Sequence, residues 1–91
     1  MASLSIIVPA YNEERRLQKT LEDISRYLAR APWSWAEILV VDDGSTDTTA
    51  ATAQAFRAAA PLRVLRNPGN RGKGYSVRHG MLAARAEWLL F

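Results

Sequence analysis

Four short apolar runs, each bounded by charged residues or turn formers, are the feature that most limits what this chain can fold into. Leu4-Ser-Ile-Ile-Val8 is β-branched and almost wholly apolar before Pro9 breaks it, and Ile38-Leu-Val-Val41 stops at Asp42-Asp-Gly-Ser-Thr46. Leu62-Arg-Val-Leu65 runs into Asn67-Pro-Gly-Asn-Arg-Gly-Lys-Gly74, and Glu87-Trp-Leu-Leu-Phe91 opens a fourth run. Continuous apolar runs of this length are what strands covered on both faces look like, whereas a half-exposed strand alternates.

Helical patterns fill the intervals. Leu17, Leu21, Ile24 and Leu28 recur at i, i+4, i+7 and i+11 and give one apolar helical face. Asn12 is the expected N-cap, with Glu13 and Glu14 in the first turn, and Pro32 with Trp33–Trp35 ends the helix. Ser45 or Thr46 is placed to cap a second helix through Ala50, Ala53 and Phe56 to about Ala60, before Pro61. A third carries Val77, Met81 and Ala84 on one side. Strand and helix in strict alternation predict an α/β fold: a three-layer, Rossmann-like parallel sheet in the order β-α-β-α-β-α-β, as one unit over residues 1–91.

Composition narrows the chemistry. The 91 residues are 48% hydrophobic and 23% charged, which suits one globular unit. The absence of cysteine excludes disulfides and thiolate sites, and a single histidine, His79, excludes a multi-histidine metal site. No basic, apolar leader is visible and no stretch nears the roughly 18 apolar residues of a membrane span, so the expected location is cytoplasmic. Arg63, Arg66, Arg71, Lys73 and Arg78 cluster in the last third, as positive potential for a phosphorylated ligand or as a solvated surface. Nucleic acid is not expected, because no aromatic and basic interleaving accompanies the net charge of +3.

Open α/β sheets bind ligands beyond the carboxyl ends of their strands, and three polar loops lie there: residues 9–13, 42–47 and 67–74. The first has no glycine to admit a pyrophosphate and brings two carboxylates. It is better suited to a base and ribose, with Tyr11 as a packing ring and Glu13 as an acceptor; the plainer reading makes them a surface aromatic and first-turn decoration. In Asp42-Asp43, one carboxylate is expected to accept from the Gly44-Ser-Thr turn while the other faces a ligand, the alternative being a pair of helix-start caps. The third loop fails both the Walker A and the dinucleotide glycine patterns. It still carries Arg71 and Lys73 at a helix start, and Lys73 is the expected phosphate contact. His79 is assigned a structural or surface role.

The stretches Ile7-Val-Pro-Ala-Tyr-Asn-Glu-Glu14, Val40-Val-Asp-Asp-Gly-Ser-Thr-Asp47 and Asn70-Arg-Gly-Lys-Gly74 with Val77-Arg-His-Gly80 resemble, in that order, family 2 glycosyltransferases of the A-type fold. Within that family they resemble enzymes that load glucose or mannose onto dolichyl or other polyprenyl phosphates. The resemblance runs from Leu4 to Phe91 and implies a nucleotide-sugar donor, UDP-glucose or GDP-mannose in type, bound by this half. It implies nucleoside contacts at Pro9, Tyr11 and Glu13, further base or ribose contacts at Val41 and Asp43 with Asp42 beside them, and a basic group at Lys73. It also implies an Asp-x-Asp site for Mg²⁺ or Mn²⁺ after a strand like Trp88–Phe91, so the metal ligands, the catalytic base and the polyprenyl-phosphate site are expected outside this chain.

The expectation is therefore an N-terminal donor half without catalytic residues or turnover, from a parent at the cytoplasmic membrane face. Its unfinished last strand is expected to self-associate. A complete, non-catalytic nucleotide-binding module and a protein-interaction domain are the competing readings.

Overall fold

A computed structural model describes residues 2–91. It holds four parallel strands, β1 (Ser3–Ala10), β2 (Trp35–Asp42), β3 (Leu62–Arg66) and β4 (Trp88–Leu90), and three helices, α1 (Leu17–Arg30), α2 (Thr49–Ala55) and α3 (Lys73–Ala83). The spatial order is β3-β2-β1-β4, so the chain builds outward from β1 on one side and returns to its other side with β4. The expected three-layer α/β sheet is what the chain forms.

The two faces of the sheet divide the strand residues by parity, as a pleated strand requires. Ala10, Ile38 and Val40 point to the side covered by Leu17 and Leu21 of α1 and Ala53 of α2, and Ile24, Leu28 and Phe56 complete that core. Ile7, Leu39 and Val41 point to the other side, which α3 covers. Leu21, Ile38, Leu39, Val40 and Val41 are completely buried. Each such side chain contributes about 1.5–3 kcal/mol relative to exposure.

Helix α3 differs from its sequence pattern. The expected inward residue Met81 is exposed, and the buried positions are Ser76 and Gly80. A Cβ on Gly80 would lie 2.5 Å from Ile7 Cγ2 and 3.3 Å from Val41 Cγ2, so glycine lets the helix lie directly on β1 and β2. An inward face of such small residues leaves no apolar stripe for a periodicity argument to find.

Other boundaries moved as well: β1 runs on through Pro9 to Ala10, and α2 begins at Thr49, without a cap from Ser45 or Thr46. Asn12 does not cap α1: it sits at φ 49° and sends its side chain across to the next loop, while α1 starts at Leu17, where the Glu13 carbonyl accepts the amides of Arg16 and Leu17. Helix α2 stops at Ala55 and not near Ala60, because Phe56 turns to extended backbone and packs into the core while the Ser25 hydroxyl accepts the Ala59 amide.

At the amino-terminal half of the sheet, the buried Glu37 on β2 organises the α3–β4 connection. It accepts from Ser5 Oγ at 2.7 Å, the Arg85 amide at 2.8 Å and Arg63 Nη2 at 3.1 Å, and the same Arg63 nitrogen donates to the Ala83 carbonyl at 2.7 Å. Arg63 is thus a structural cation and not part of a free basic surface. Burial pushes the Glu37 carboxyl up, but the hydrogen bonds from Ser5 and Arg85 and the Arg63 charge outweigh it, so its pKa lies below the ordinary 4.5. A carboxyl depressed by folding stabilises the native state above its unfolded pKa, and that contribution is lost as pH falls through the folded value. Glu37→Gln is expected to lose about 1–3 kcal/mol at pH 7. Urea titrations across pH 7 to 3 should show a shallower acid loss for the variant than for the parent chain.

Candidate functional site

The register fixes where the site lies. Ala10, Asp42 and Arg66 are neighbours across β1, β2 and β3, so the three loops leave the sheet at one level. They are then stitched together. The first and second loops exchange side chain to backbone bonds: Ser45 Oγ accepts the Asn12 amide at 2.9 Å, Asn12 Oδ1 accepts the Thr46 amide at 2.9 Å, and Thr49 Oγ1 accepts the Glu13 amide at 2.8 Å. Glu14 Oε2 accepts from the Thr48 hydroxyl at 2.7 Å, and Asp47 Oδ1 accepts the Thr49 amide at 2.9 Å. Asp47 thus serves the start of α2.

Asp43 ties the second loop to the third. Its Oδ1 accepts from Asn67 Nδ2 at 2.7 Å and from the Arg71 amide at 2.8 Å, and its Oδ2 from the Gly72 amide at 2.8 Å. Burial pushes the Asp43 carboxyl up, but these three donors prevail and hold it below the ordinary 3.8, as a carboxylate. The Asn67 amide in turn donates from Nδ2 to Ser76 Oγ at 2.8 Å, and its Oδ1 lies 2.7 Å from His79 Nδ1.

Asp42 does the work of the turn. It is completely buried, accepts the Ser45 amide on Oδ1 at 3.2 Å, and pairs with Arg66 Nε at 3.3 Å in a geometry that is not that of a hydrogen bond. With Arg63 committed to Glu37 and Arg66 to Asp42, the basic cluster of the last third is divided, and Lys73 is its member on the cleft described next.

That cleft, of about 370 Å³, opens where the loops meet and is lined by Pro9, Ala10, Tyr11, Glu13, Asp43, Lys73 and Ser76. Pro9, Tyr11, Glu13, Asp43 and Lys73, all anticipated from sequence, come together on its walls. Val41 and Asp42 do not: the Val41 side chain belongs to the core under α3, and Asp42 lies beneath the turn. Tyr11 is exposed, with a ring free to pack on a ligand. Glu13 is held by Arg16 at 2.9 and 3.2 Å, which tempers its charge. Lys73 is the first residue of α3, whose N-cap Gly72 supplies no side chain to satisfy the first-turn amides.

Ser76 and Asn67 escaped the sequence reading. Ser76 lies one turn after Lys73 on α3, so its place on the cleft follows from Lys73 once the helix start is known. Asn67 directly follows β3 as Asp43 follows β2's last residue, and its own amide bonds back to the Asp42 carbonyl at 2.9 Å. A larger cleft of about 620 Å³ lies by Phe56, between Gln18 of α1 and residues 51–57, away from every strand-end loop. Among the described residues no group of three or more His, Cys, Asp or Glu side chains is arranged to hold a metal ion, and no helix is long and apolar enough to cross a membrane.

Comparison with known proteins shows the family and the fold. The family model described as glycosyl transferase family 2 matches residues 5–91. A dolichyl-phosphate β-glucosyltransferase of Drosophila melanogaster is 46% identical over 97% of this chain and 29% of its own length. The Homo sapiens protein of that name is 38% identical over 96% of this chain and again 29% of its length. The chain therefore spans under a third of these relatives. A crystal structure of S. aureus TarS superposes with a TM-score of 0.86 at 31% identity, over 98% of this chain and 26% of that one.

Gly44 gives the site a sharp mechanical test. It has φ +76°, and a Cβ there would stand 2.6 Å from the Gly69 carbonyl carbon and 2.8 Å from the Asn70 nitrogen, backbone that cannot step aside. Gly44→Ala is expected to cost about 1–3 kcal/mol in chemical denaturation. The amide resonances of residues 69–72 should move in the variant while those of β1 stay in place.

Proposed function

Because this chain belongs to glycosyltransferase family 2, we propose that it is the N-terminal, donor-binding part of a hexosyltransferase that moves glucose from UDP onto dolichyl or another polyprenyl phosphate. The observation that carries the reading is the convergence of Pro9, Tyr11, Glu13, Asp43 and Lys73 on one cleft at the strand ends. Tyr11 and Pro9 offer apolar surface to the base, Glu13 accepts from ribose hydroxyls, and Lys73 at the start of α3 meets the diphosphate.

The state of Asp43 favours UDP over GDP. An ionised carboxylate offers about four lone-pair positions, and three of those on Asp43 are already taken by Asn67, Arg71 and Gly72. The one that remains suits the single imide N–H of uracil. Guanine presents two adjacent donors, one of which would be left without a partner, at a cost of about 1–3 kcal/mol.

Catalysis in this reading belongs to the whole protein. The relatives named as dolichyl-phosphate glucosyltransferases are more than three times as long as their matching segment. Mg²⁺ or Mn²⁺ would neutralise the leaving diphosphate, and in this reading its ligands and the catalytic base belong to other parts of the parent. With a polyprenyl-phosphate acceptor, that parent would work at a membrane surface, and the cytoplasmic face is the side proposed for it. The chain alone is expected to transfer no sugar.

Calorimetric titration of the purified chain tests the binding reading. UDP should bind about tenfold or more tighter than GDP, the ratio set by one unpaired donor. Lys73→Ala should weaken UDP while leaving uridine unchanged. Binding of neither nucleotide would instead favour a protein-interaction module.

The β4 edge supports self-association of the isolated chain. Strand β4 pairs with β1 on one side only, and Trp88, Leu90 and Phe91 are more than half exposed, at 61%, 52% and 69%. An open apolar edge of this kind is a template for a second strand. Sedimentation equilibrium should show mass rising with concentration, and Leu90→Lys should restore the monomer.

A further inference from the structure

The Asp43 carboxylate is held by a side chain that is itself held, and the outermost member of that relay is His79. The direction of each bond is fixed by chemistry. Asp43 is ionised and can only accept, so the Asn67 amide must turn its nitrogen to it, at 2.7 Å. The same nitrogen gives its second hydrogen to Ser76 Oγ at 2.8 Å, while the Ser76 hydroxyl donates to the Gly72 carbonyl at 3.2 Å. Asn67 Oδ1 is then left facing His79 Nδ1 at 2.7 Å. An amide oxygen has no hydrogen to give, so His79 must carry its proton on Nδ1. Tyr75, one helical turn before, stands edge-on to the imidazole with ring centroids 6.5 Å apart and an interplanar angle of 76°.

We infer that His79 is a positioning residue for the nucleotide cleft: its Nδ1–H locks the Asn67 amide, and Asn67 with Asp43 then holds the Arg71–Gly72 backbone and the start of α3, where Lys73 lies. Without that donor the Asn67 amide has an unpaired oxygen and one fewer restraint on its plane. The Arg71 and Gly72 amides then rest on an Asp43 carboxylate whose Asn67 partner is less firmly fixed. The link from this order to nucleotide affinity rests on the function proposed above; the link from His79 to loop order does not.

Proton-detected nitrogen NMR on the whole chain tests the relay directly. The wild-type ring should show a hydrogen-bonded Nδ1–H, and the Nε2–H tautomer with a bare Nδ1 would overturn the inference. In His79→Phe, hydrogen exchange at the Arg71 and Gly72 amides should accelerate about 3–10-fold, while Ile38 and Leu39 in the sheet exchange as before. His79→Asn, which returns an N–H near the Nδ1 position, should recover most of the protection. A folded His79→Phe chain with unchanged exchange at Arg71 and Gly72 would sink the proposal, and so would equal loosening by His79→Asn.

UDP titration alongside separates the two readings. Loosening of the loop in His79→Phe together with a several-fold loss of UDP affinity supports both. The same loosening in a chain whose wild type binds no UDP leaves the positioning role standing and removes the proposed function.

Discussion

Everything at the carboxyl edge of this sheet depends on a carboxylate that meets three N–H groups from a segment far along the chain. Asp43 sits one residue past the end of β2, yet its bonds go to Asn67, Arg71 and Gly72 beyond β3. A buried charge is tolerable only when it is compensated, and here the compensation is structural: the donors are the loop that must be ordered. The burial that makes the charge costly also makes its hydrogen bonds strong. With Asn12, Ser45 and Thr49 clasping the first two loops, the cleft is framed by the protein's own polar groups before any ligand arrives.

The opposite end of the sheet uses the same device for another purpose. Glu37, buried near the start of β2, collects a hydroxyl, a backbone amide and a guanidinium, and thereby fastens the connection by which the chain leaves α3 and returns beside β1. One acidic residue at each end of the central strand thus anchors a crossover whose apolar contacts are slight, since α3 meets the sheet through Ser76 and Gly80. Between these anchors Ile38–Val41 are apolar and completely buried, and Asp42 closes the strand.

The sequence made the sheet legible because strands covered on both faces must be continuous apolar runs, and Leu4–Val8 and Ile38–Val41 are such runs. The position of the strand-end loops followed from strand polarity, which is why Tyr11, Glu13, Asp43 and Lys73 could be expected on one cleft, while Pro9 entered through the family resemblance. What escaped were choices made by tertiary contacts. Arg63 and Arg66 looked like free cations until the register set them beside Glu37 and Asp42. Asn12 looked like a cap because local propensity favours it, whereas the neighbouring loop offered the Thr46 amide. Met81 looked like core because it shares a helical side with Val77 and Ala84, but the helix meets the sheet through Ser76 and Gly80, where a Cβ on Gly80 would strike Ile7. Each miss replaced a local rule with a partner on another element of the fold or with a distance no periodicity encodes.

The contact at Gly44 has a consequence for how this molecule can vary. Its α-carbon faces the peptide between Gly69 and Asn70 with no room for a methyl group. The second and third loops are therefore halves of one packed object, although a helix and a strand separate them in the chain. Neither half can be lengthened, shortened or given a new side chain at the contact without a matching change in the other. Swapping either loop alone from a relative should fail where exchanging the pair succeeds, so the unit of inheritance at this end of the fold is the pair.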